Sequence, residues 1–286
     1  MKEINSWIGK IHCGDCVEVM KSFPEHSIDA VITDVPYNLG EHTSGLIKFK
    51  NRENMNKANV DEWNKGFEPL AFLPEIKRVL KSTGNIFIYC SHRQFGSYLD
   101  WLQENFDKTF FGVWHKTNPV PQVRKVAFLS SCELWVSAWN NHHKWNFGKQ
   151  NDMHNFIECG ICQGRERKAH TGQKPLKAMH KLIEVSTDEN DIILDPFVGT
   201  GTTCVAAKEL GRKWIGIEIS LEYCQIASAR LENCEIVRHA TYKPVEATME
   251  TKREPQKGAC GYAGNCSYKD SDGNCTYTHD CKEKRK

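Results

Sequence analysis

The feature that most constrains the fold is a succession of strand, glycine-rich turn, helix and strand between residues 191 and 218. A strand that ends in Asp195 leads into a turn containing Gly199 and Gly201, and the second strand ends in Glu218. This order predicts one βαβ unit of a mostly parallel sheet. Because ligands bind at the carboxyl ends of parallel strands, the turn predicts a site for a nucleoside-containing ligand whose ribose hydroxyls donate to Glu218.

Two details bear on which ligand this turn binds. Cys204 stands where a dinucleotide-binding turn carries its third glycine, which disfavours a dinucleotide. A glycine pair that serves only a structural turn is the alternative. The segment Asp195-Pro196-Phe197 before the glycines and Glu218 after them favour a ligand site.

A second apolar run, residues 28–32, predicts another buried parallel strand and leads into Asp34-Val35-Pro36-Tyr37. Pro36 favours an extended backbone at Val35, so the Val35 carbonyl and the Asp34 carboxylate can both point out of the sheet edge. Two acceptors beside the Tyr37 ring suit a flat ligand that carries an NH2 group. A proline turn with a surface tyrosine is the alternative.

Composition sets limits on the class of protein. The 286 residues allow one large domain or two small ones, and 38 basic against 36 acidic residues give a net charge of +2, which neither indicates nor excludes nucleic acid. No apolar stretch approaches the roughly 20 residues needed to span a membrane, and the first residues lack the apolar core of an export signal. We therefore expect a cytoplasmic protein whose 13 cysteines are mostly reduced thiols.

Hydrophobic periodicity predicts further alternating elements. Strands are predicted at residues 8–11, 85–90, 108–115, 132–139 and 213–217. Helices are predicted at residues 16–23, 69–80, 91–106, 176–185, 204–210 and 221–231. Two long stretches, residues 41–66 and 140–169, show no periodicity. The second combines basic side chains with Trp and Phe, which suits phosphates and bases nearly as well as a solvated loop.

Three segments, at residues 34–37, 170–175 and 195–203, occur in an order that resembles one enzyme family, the DNA amino-methyltransferases of the permuted β class. Those enzymes carry an Asp-Pro-Pro-Tyr motif early, a His-Pro-Thr-Gln-Lys-Pro segment later and an Asp-Pro-Phe-x-Gly-x-Gly-Thr-Thr turn last. Val35 replaces the first proline of the early motif but keeps the backbone carbonyl that the motif uses. Thr171-Gly172 replaces Pro-Thr in the middle segment.

The resemblance implies a Rossmann-like α/β fold, with a doubly wound, mostly parallel sheet and a circularly permuted motif order. Residues 1–240 would form the catalytic domain, with the stretches 41–66 and 140–169 as target-recognition insertions that contact double-stranded DNA. Residues 241–286 would form a separate cysteine-rich tail.

The implied activity is site-specific transfer of a methyl group from S-adenosylmethionine to N6 of an adenine that has left the duplex. Aspartate at position 34 favours adenine, and cytosine N4 is the alternative. An RNA methyltransferase or a catalytically silent DNA-binding relative is also left open, as are a homodimer and a restriction endonuclease partner.

The resemblance assigns a role to each motif residue. Asp34 and the Val35 carbonyl would accept the two hydrogens of the target amine, and Tyr37, placed by Pro36, would stack on the base. The residues implied to bind the cofactor are Asp195, Phe197, Gly199, Gly201 and Thr202 near its methionine part, Glu218 at the ribose, Asp15 at the adenine amine and Lys174 at the carboxylate. For Asp15, an N-cap of the following helix is the alternative.

The tail contains a group of cysteines with a histidine nearby. Four soft ligands could form a tetrahedral zinc site in a segment too poor in apolar residues to fold otherwise, and free thiols are the alternative. The candidate ligands are Cys260, Cys266, Cys275 and Cys281.

Overall fold

The computed structural model describes residues 3–37, 67–122, 125–164, 166 and 173–239. These residues lie within one compact unit, Met1–Pro244. The 41–66 insertion and the tail with its four candidate zinc ligands lie outside the described residues, so the tail, its boundary near residue 240 and the zinc site stay predictions. No helix in the described part of the chain is long and apolar enough to cross a membrane.

Nine strands of the described residues form a single sheet. In chain order they are β1 (Ile11–Cys13), β2 (Ile28–Asp34), β3 (Leu80–Cys90), β4 (Lys108–Lys116), β5 (Cys132–Trp139), β6 (Phe156–Cys159), β7 (Ile192–Asp195), β8 (Lys213–Glu218) and β9 (Ile236–Arg238). Their order across the sheet is β6-β4-β5-β3-β2-β7-β8-β1-β9. Among them, β5 runs antiparallel to β3 and β4, and every other neighbouring pair is parallel.

Six α-helices of the described residues cover both faces of this sheet. They are α1 (Cys16–Met20), α2 (Leu73–Val79), α3 (Phe95–Asn105), α4 (Leu176–Ser186), α5 (Thr202–Glu209) and α6 (Leu221–Arg230). The first three share a core with Val31 on one face, and the last three share a core with Ala30 and Ile32 on the other. Successive residues of β2 thus face opposite layers, as in a strand buried on both sides, and the predicted α/β class is confirmed.

The chain order places a topological switch point between β2 and β7. From β2 the chain continues to β3 on one side, whereas from β7 it continues to β8 on the other. The two strands pair directly, with Ala30 opposite Ile193 and Val31 opposite Leu194. In open α/β sheets the crevice at such a point is where ligands bind, so the ends of β2 and β7 define the site.

Most predicted elements are confirmed, and the exceptions have local causes. The first strand lies at Ile11–Cys13 rather than 8–11, because Gly9 adopts φ of +73° and turns the chain before the strand begins. The expectation of no regular structure across 140–169 is wrong, since β6 pairs with β4 there. The edge strand β9 was not predicted, because its three residues carry no periodic signal of their own.

Candidate active site

The predicted acids meet at one edge of the sheet. Asp34 ends β2, Asp195 ends β7 and Glu218 ends β8, and these strands are parallel. Because β5 is antiparallel, its first residues reach this same edge, and they bring Glu133 beside the end of β4 at Lys116. The edge therefore carries three predicted carboxylates and one that sequence reasoning did not single out.

Asp34 contacts a buried lysine from the segment just before α4. Lys174 Nζ lies 2.5 Å from Asp34 Oδ2, and the lysine is only 4% exposed. The other carboxylate oxygen, Asp34 Oδ1, is buried and has no hydrogen-bond partner among the residues described, although the Tyr37 hydroxyl lies near enough to the carboxylate to lower the pKa of Asp34. A buried acceptor without a partner costs free energy, so its retention at a strand end points to a ligand that donates to it.

Glu133 connects this pair to a second lysine and to the motif tyrosine. Its carboxylate lies 2.9 Å from Lys174 Nζ and 2.8 Å from Lys116 Nζ. The Tyr37 hydroxyl donates to Glu133 Oε2 at 3.2 Å, and Lys174 Nζ lies 5.0 Å from the centre of the Tyr37 ring. The order Lys116, Glu133, Lys174, Asp34 is thus an alternating chain of opposite charges that ends on the predicted catalytic acid.

The charges in this chain shift one another's pKa values. Burial raises the pKa of Asp34, Lys174 opposes that shift, and Glu133 adds to it. Burial would also raise the pKa of Glu133, but the two lysines outweigh it and the net shift is downward. For Lys174 burial lowers the pKa, whereas the two carboxylates raise it and prevail. The lysine is therefore held as an ammonium group between two acids.

The backbone of the early motif is fixed on both sides of Val35. The Val35 amide donates to the Tyr89 carbonyl at 3.3 Å, and the Pro36 carbonyl accepts from Gln94 Nε2 at 2.8 Å. Gln94 is itself held, because its Oε1 accepts from the Ser91 hydroxyl at 2.8 Å. These bonds restrain the turn although valine replaces the first proline, and the buried Val35 side chain packs in the core.

Asp195 is buried next to the end of β2. The carboxylate is 3% exposed and accepts from the Thr33 hydroxyl at 2.7 Å and from the Phe197 amide at 3.1 Å. Burial raises the pKa of Asp195 to about 6, and these donors limit the rise. The Phe197 ring packs edge-on against Phe72, with 4.9 Å between ring centres, so the residues after Asp195 are held firmly.

The glycine turn brings backbone donors to Glu218. Gly199 and Gly201 have φ values of +50° and +86°, which L side chains rarely adopt. A Cβ at Gly201 would also lie 3.1 Å from the Ala227 Cβ. The Glu218 carboxylate, 8% exposed, accepts from the Gly199 amide at 2.9 Å and the Ser220 amide at 2.8 Å, and burial raises its pKa to about 7.

Comparison with known proteins identifies the family behind this geometry. The family model described as DNA methylase, of the N6/N4 type, matches residues 28–229. The chain belongs to the N6/N4 DNA methylase family. The match begins at the first residue of β2, and it includes both strand ends of the switch point and the glycine turn.

Individual relatives agree with the family match. The methylase is 35% identical over 258 residues to Type II methyltransferase M.HinfI of Haemophilus influenzae, which covers 81% of this chain and 70% of that protein. It is 31% identical over 241 residues to Type II methyltransferase M2.MboI of Moraxella bovis, covering 77% of this chain and 86% of that one.

Solved structures show the same fold. A complex of M1.HpyAVI with SAM superposes with a TM-score of 0.61 at 31% identity and covers 78% of this chain and 98% of that chain. The cytosine-N4-specific PvuII DNA methyltransferase gives a TM-score of 0.60 at 20% identity, covering 78% and 86%, and this likeness concerns the fold alone.

Three residues predicted to bind the cofactor also make contacts within the methylase. Asp15 caps α1, since its Oδ1 accepts from the Glu18 amide at 3.1 Å. The Thr202 hydroxyl accepts from Arg230 at 3.1 Å. Lys174 contacts Asp34, as described above. The cofactor contacts predicted for these three residues stay predictions, as do those of the other five, and Asp15 and Thr202 also have a structural role of their own.

The described part of the predicted DNA-contacting stretch 140–169 reaches both the amino side and the carboxyl side of the parallel strands. Trp139, at the end of β5, pairs with Asn85 at the amino side of the parallel strands, so the residues that follow begin at the edge opposite the site. Lys144 is fixed there, with its Nζ 2.5 Å from Asp191. By contrast, Cys159 pairs with Lys116, which ends β4 at the carboxyl side of the parallel strands, so Cys159 lies on the same side of the sheet as the site.

The main residues that sequence reasoning missed are Glu133 and Gln94. A signal for Glu133 exists, because no acidic residue occurs between Asp107 and Glu133. Glu133 is also the one charged residue of β5, which is otherwise uncharged and mostly apolar. A buried carboxylate in such a strand needs a cationic partner, so the pattern indicates a nearby lysine or arginine. Gln94 gave no such signal, since its role depends on the position of Pro36 in space. In the part of the chain that the structure describes, no group of His, Cys, Asp or Glu is arranged to hold a metal ion.

Proposed function

We propose that this methylase transfers a methyl group from S-adenosylmethionine to the exocyclic N6 of an adenine in double-stranded DNA. The observation that carries the proposal is the buried, unpartnered Asp34 Oδ1 at the switch point, next to a strand that ends in Asp195. The names of the relatives, two Type II methyltransferases and one protein complexed with SAM, support the same reaction class.

The residues after β7 and β8 fit this cofactor. The positive φ of Gly199 and Gly201 lets the chain turn tightly at the head of α5, as a nucleoside ligand near the backbone requires. Glu218 would accept hydrogen bonds from the ribose hydroxyls with the lone pairs that its backbone donors leave, and Asp195 and Phe197 would line the methionine part. When bound, the cofactor supplies an electrophilic methyl group on a sulfonium centre.

The early motif would make the target nitrogen reactive. An exocyclic amine is a weak nucleophile because its lone pair is delocalised into the base ring. If Asp34 Oδ1 and the Val35 carbonyl accept its two hydrogens, the nitrogen can pyramidalise and direct its lone pair away from the ring. Asp34 would act as acceptor and orienting group, and the proton of the product cation can leave to solvent afterwards.

The base would be held by Tyr37. A base inside a duplex cannot reach a buried carboxylate, so it must leave the stack, and an aromatic ring can replace part of the lost stacking. The Tyr37 hydroxyl donates to Glu133 at 3.2 Å, which restrains the orientation of the ring. Burial raises the pKa of Tyr37, so the hydroxyl stays protonated and continues to donate.

The test is transfer of labelled methyl from S-adenosylmethionine to unmethylated double-stranded DNA, followed by nucleoside analysis. We expect N6-methyladenine from the wild type and none from Asp34→Ala, while Asp100→Ala, which removes an exposed aspartate on α3, serves as the matched control. Detection of N4-methylcytosine in place of N6-methyladenine would show that the target is cytosine N4 and would contradict the adenine assignment. Transfer to RNA alone, or cofactor binding without transfer, would contradict the proposal.

A further inference from the structure

The alternating chain of charges Lys116, Glu133, Lys174 and Asp34 includes two lysines that have no part in the methyl transfer proposed above. Two lysines and two acids follow one another through contacts of 2.8, 2.9 and 2.5 Å. Their formal charges cancel when both acids are ionised. Buried charges are expensive unless they are paired, so this balance favours keeping Asp34 as a carboxylate beside the buried Lys174.

Lys174 fixes which oxygen of Asp34 remains open. The ammonium group takes Oδ2 and leaves Oδ1 buried and unpartnered among the described residues. Glu133 holds the lysine from its other side, so Lys174 cannot follow Asp34 without losing a second buried ion pair. The carboxylate is therefore held in one orientation, with its free oxygen directed away from the lysine.

The same contacts place Lys174 at the target amine's side of the site. Its nitrogen lies 5.0 Å from the ring centre of Tyr37, which follows β2, and 5.4 Å from the ring centre of Tyr89, which lies in β3. At least two of its three donors are already used by Asp34 and Glu133. The contact with the cofactor carboxylate that the family resemblance implied for Lys174 stays a prediction.

We infer that Lys174 and Glu133 are positioning residues for the target amine: the lysine holds Asp34 ionised with Oδ1 open, and Glu133 holds the lysine in place. The inference rests on the proposed function, because the amine whose hydrogen Oδ1 accepts is the one to be methylated. Lys116 supports the pair from outside, since it neutralises Glu133 and leaves the charge of Lys174 available to Asp34.

The surroundings of Asp34 make the inference testable by pH. Lys174 faces it from the segment before α4, Glu133 from β5, Tyr37 from its own turn, Cys90 from β3 and Asp195 from β7. Lys174 lowers the pKa of Asp34 and Glu133 raises it, with burial as the largest cause of the net rise. Removing one charge or the other should therefore move the titration of Asp34 in opposite directions.

The experiment measures kcat/KM for DNA, at a concentration of S-adenosylmethionine that is saturating at every pH, from pH 5 to pH 9 in the wild type, Lys174→Met and Glu133→Gln. In Lys174→Met, we expect the acidic limb of the pH profile, where kcat/KM falls as Asp34 is protonated, to move to higher pH by about one to three units. A shift of this size is the usual effect of losing an opposite charge. In Glu133→Gln the acidic limb should move to lower pH, because a charge that raises the pKa of Asp34 is lost. Lys174→Arg should return the limb toward the wild-type position, because it restores the charge.

Lys208→Met is the matched control. Lys208 forms an exposed pair with Glu232 at 2.8 Å, far along the chain from the motif, so its loss removes a lysine and an ion pair without touching the charge chain. We expect an unchanged pH profile. If Lys174→Met and Glu133→Gln both lose activity while the limb stays where it is, the pair is merely structural and the inference is overturned.

A second measurement covers the case in which Lys174→Met is inactive or folds poorly. The ionisation of Asp34 can be followed directly by 13C NMR of protein labelled at the aspartate carboxyl carbons, with Asp34→Asn assigning the signal. A shift of that titration to lower pH in Glu133→Gln, which keeps both lysines, supports the inference, and an unchanged titration or a shift to higher pH overturns it. Where Lys174→Met folds, its titration should shift to higher pH. Absence of DNA methylation in the wild type would instead overturn the proposed function, and this titration would still report on the pair.

Discussion

The two sides of the switch point stabilise their carboxylates by different means. At the end of β2, a buried ammonium group 2.5 Å away opposes the effect of burial on Asp34. At the ends of β7 and β8, the groups that oppose burial of Asp195 and Glu218 are a hydroxyl and backbone amides. The first side therefore depends on a balance of whole charges, and the second depends on the shape of a turn that aims dipoles at each acid.

This difference predicts which changes each side tolerates. A charge substitution should disturb the catalytic side most, because it leaves another buried charge without a partner. A change of backbone shape should most disturb the side with Asp195 and Glu218, where the cofactor is proposed to bind, because a turn positions its donors. A change of pH should also act there, because burial raises the pKa of Asp195 to about 6 and that of Glu218 to about 7. Four experiments separate these two sensitivities.

The largest effect is expected from Asp34→Asn. The amide keeps the size of the side chain but removes the charge, so Lys174 and Lys116 face only Glu133. We expect kcat for methyl transfer to fall by about 10²- to 10³-fold, as when a preorganised group at a reacting centre is removed. Cofactor affinity, measured by calorimetry, should change little, and an equal loss of affinity would remove the distinction between the two sides.

Glu218→Gln should have the next largest effect and the opposite signature. Hydrogen bonds to a charged group contribute about 1.5–3 kcal/mol, so cofactor affinity should fall by roughly 10- to 100-fold. At saturating cofactor kcat should be nearly retained. Glu222→Gln, in the first turn of α6, is the control for charge alone. Loss of kcat without loss of affinity would place Glu218 on the catalytic side.

Gly201→Ala tests the dependence of the cofactor side on shape. Its φ of +86° and the 3.1 Å approach of an added Cβ to Ala227 predict a loss of about 2 kcal/mol in the free energy of unfolding. Gly9→Ala is matched, because Gly9 has φ of +73° but open space around its Cβ position. Urea denaturation should show a larger loss in the free energy of unfolding for Gly201→Ala than for Gly9→Ala. Equal losses would mean that the close approach to Ala227 does not contribute.

The smallest effect is the pH dependence of the cofactor side. Below about pH 7 Glu218 carries a proton that weakens it as an acceptor, so cofactor affinity should rise by up to about tenfold between pH 6 and pH 8. The free energy of unfolding should change with pH in the opposite direction from cofactor affinity. A carboxyl whose folded pKa is raised stabilises the fold below its ordinary value of 4.5, and this contribution is lost as pH rises through about 7.

Both pH trends can be measured on the same two proteins. Calorimetric titrations with the cofactor and thermal unfolding without it, each from pH 5 to pH 8, should show opposite slopes in the wild type. In Glu218→Gln both slopes should be reduced, because the titrating group is gone. A wild-type affinity that does not vary with pH would contradict the contribution assigned to Glu218.

The sequence predicted the acids at three strand ends because strand, turn and acid are adjacent in the chain. Asp34, Asp195 and Glu218 each follow an apolar run, so local pattern and chain order were sufficient to bring them to one edge. The short strands β6 and β9 could not be read in this way. Their formation depends on pairing with β4 and β1, which supplies the order that four or three residues do not encode.

The charge chain could not be predicted for a different reason. Lys174 lies 140 residues from Asp34, and Glu133 reaches the site because β5 runs antiparallel, which no periodicity reveals. The motif containing Lys174 was visible, and its resemblance to the family segment implied a contact with the cofactor carboxylate, but the two acids beside the lysine could not be inferred. The fold class and the motif acids follow from local sequence, whereas the electrostatic support of the catalytic acid follows from topology.

The pairing of β2 with β7 also has a consequence for synthesis of the chain on the ribosome. Thr33 and Asp195 are hydrogen-bonded across 162 residues, and β1 pairs only with β8 and β9 among the described strands. While the first 190 residues emerge, one edge of β2 and both edges of β1 have no native partner. Such distant pairing slows folding and exposes strand edges, so nascent chains of this length should be the species that chaperones hold.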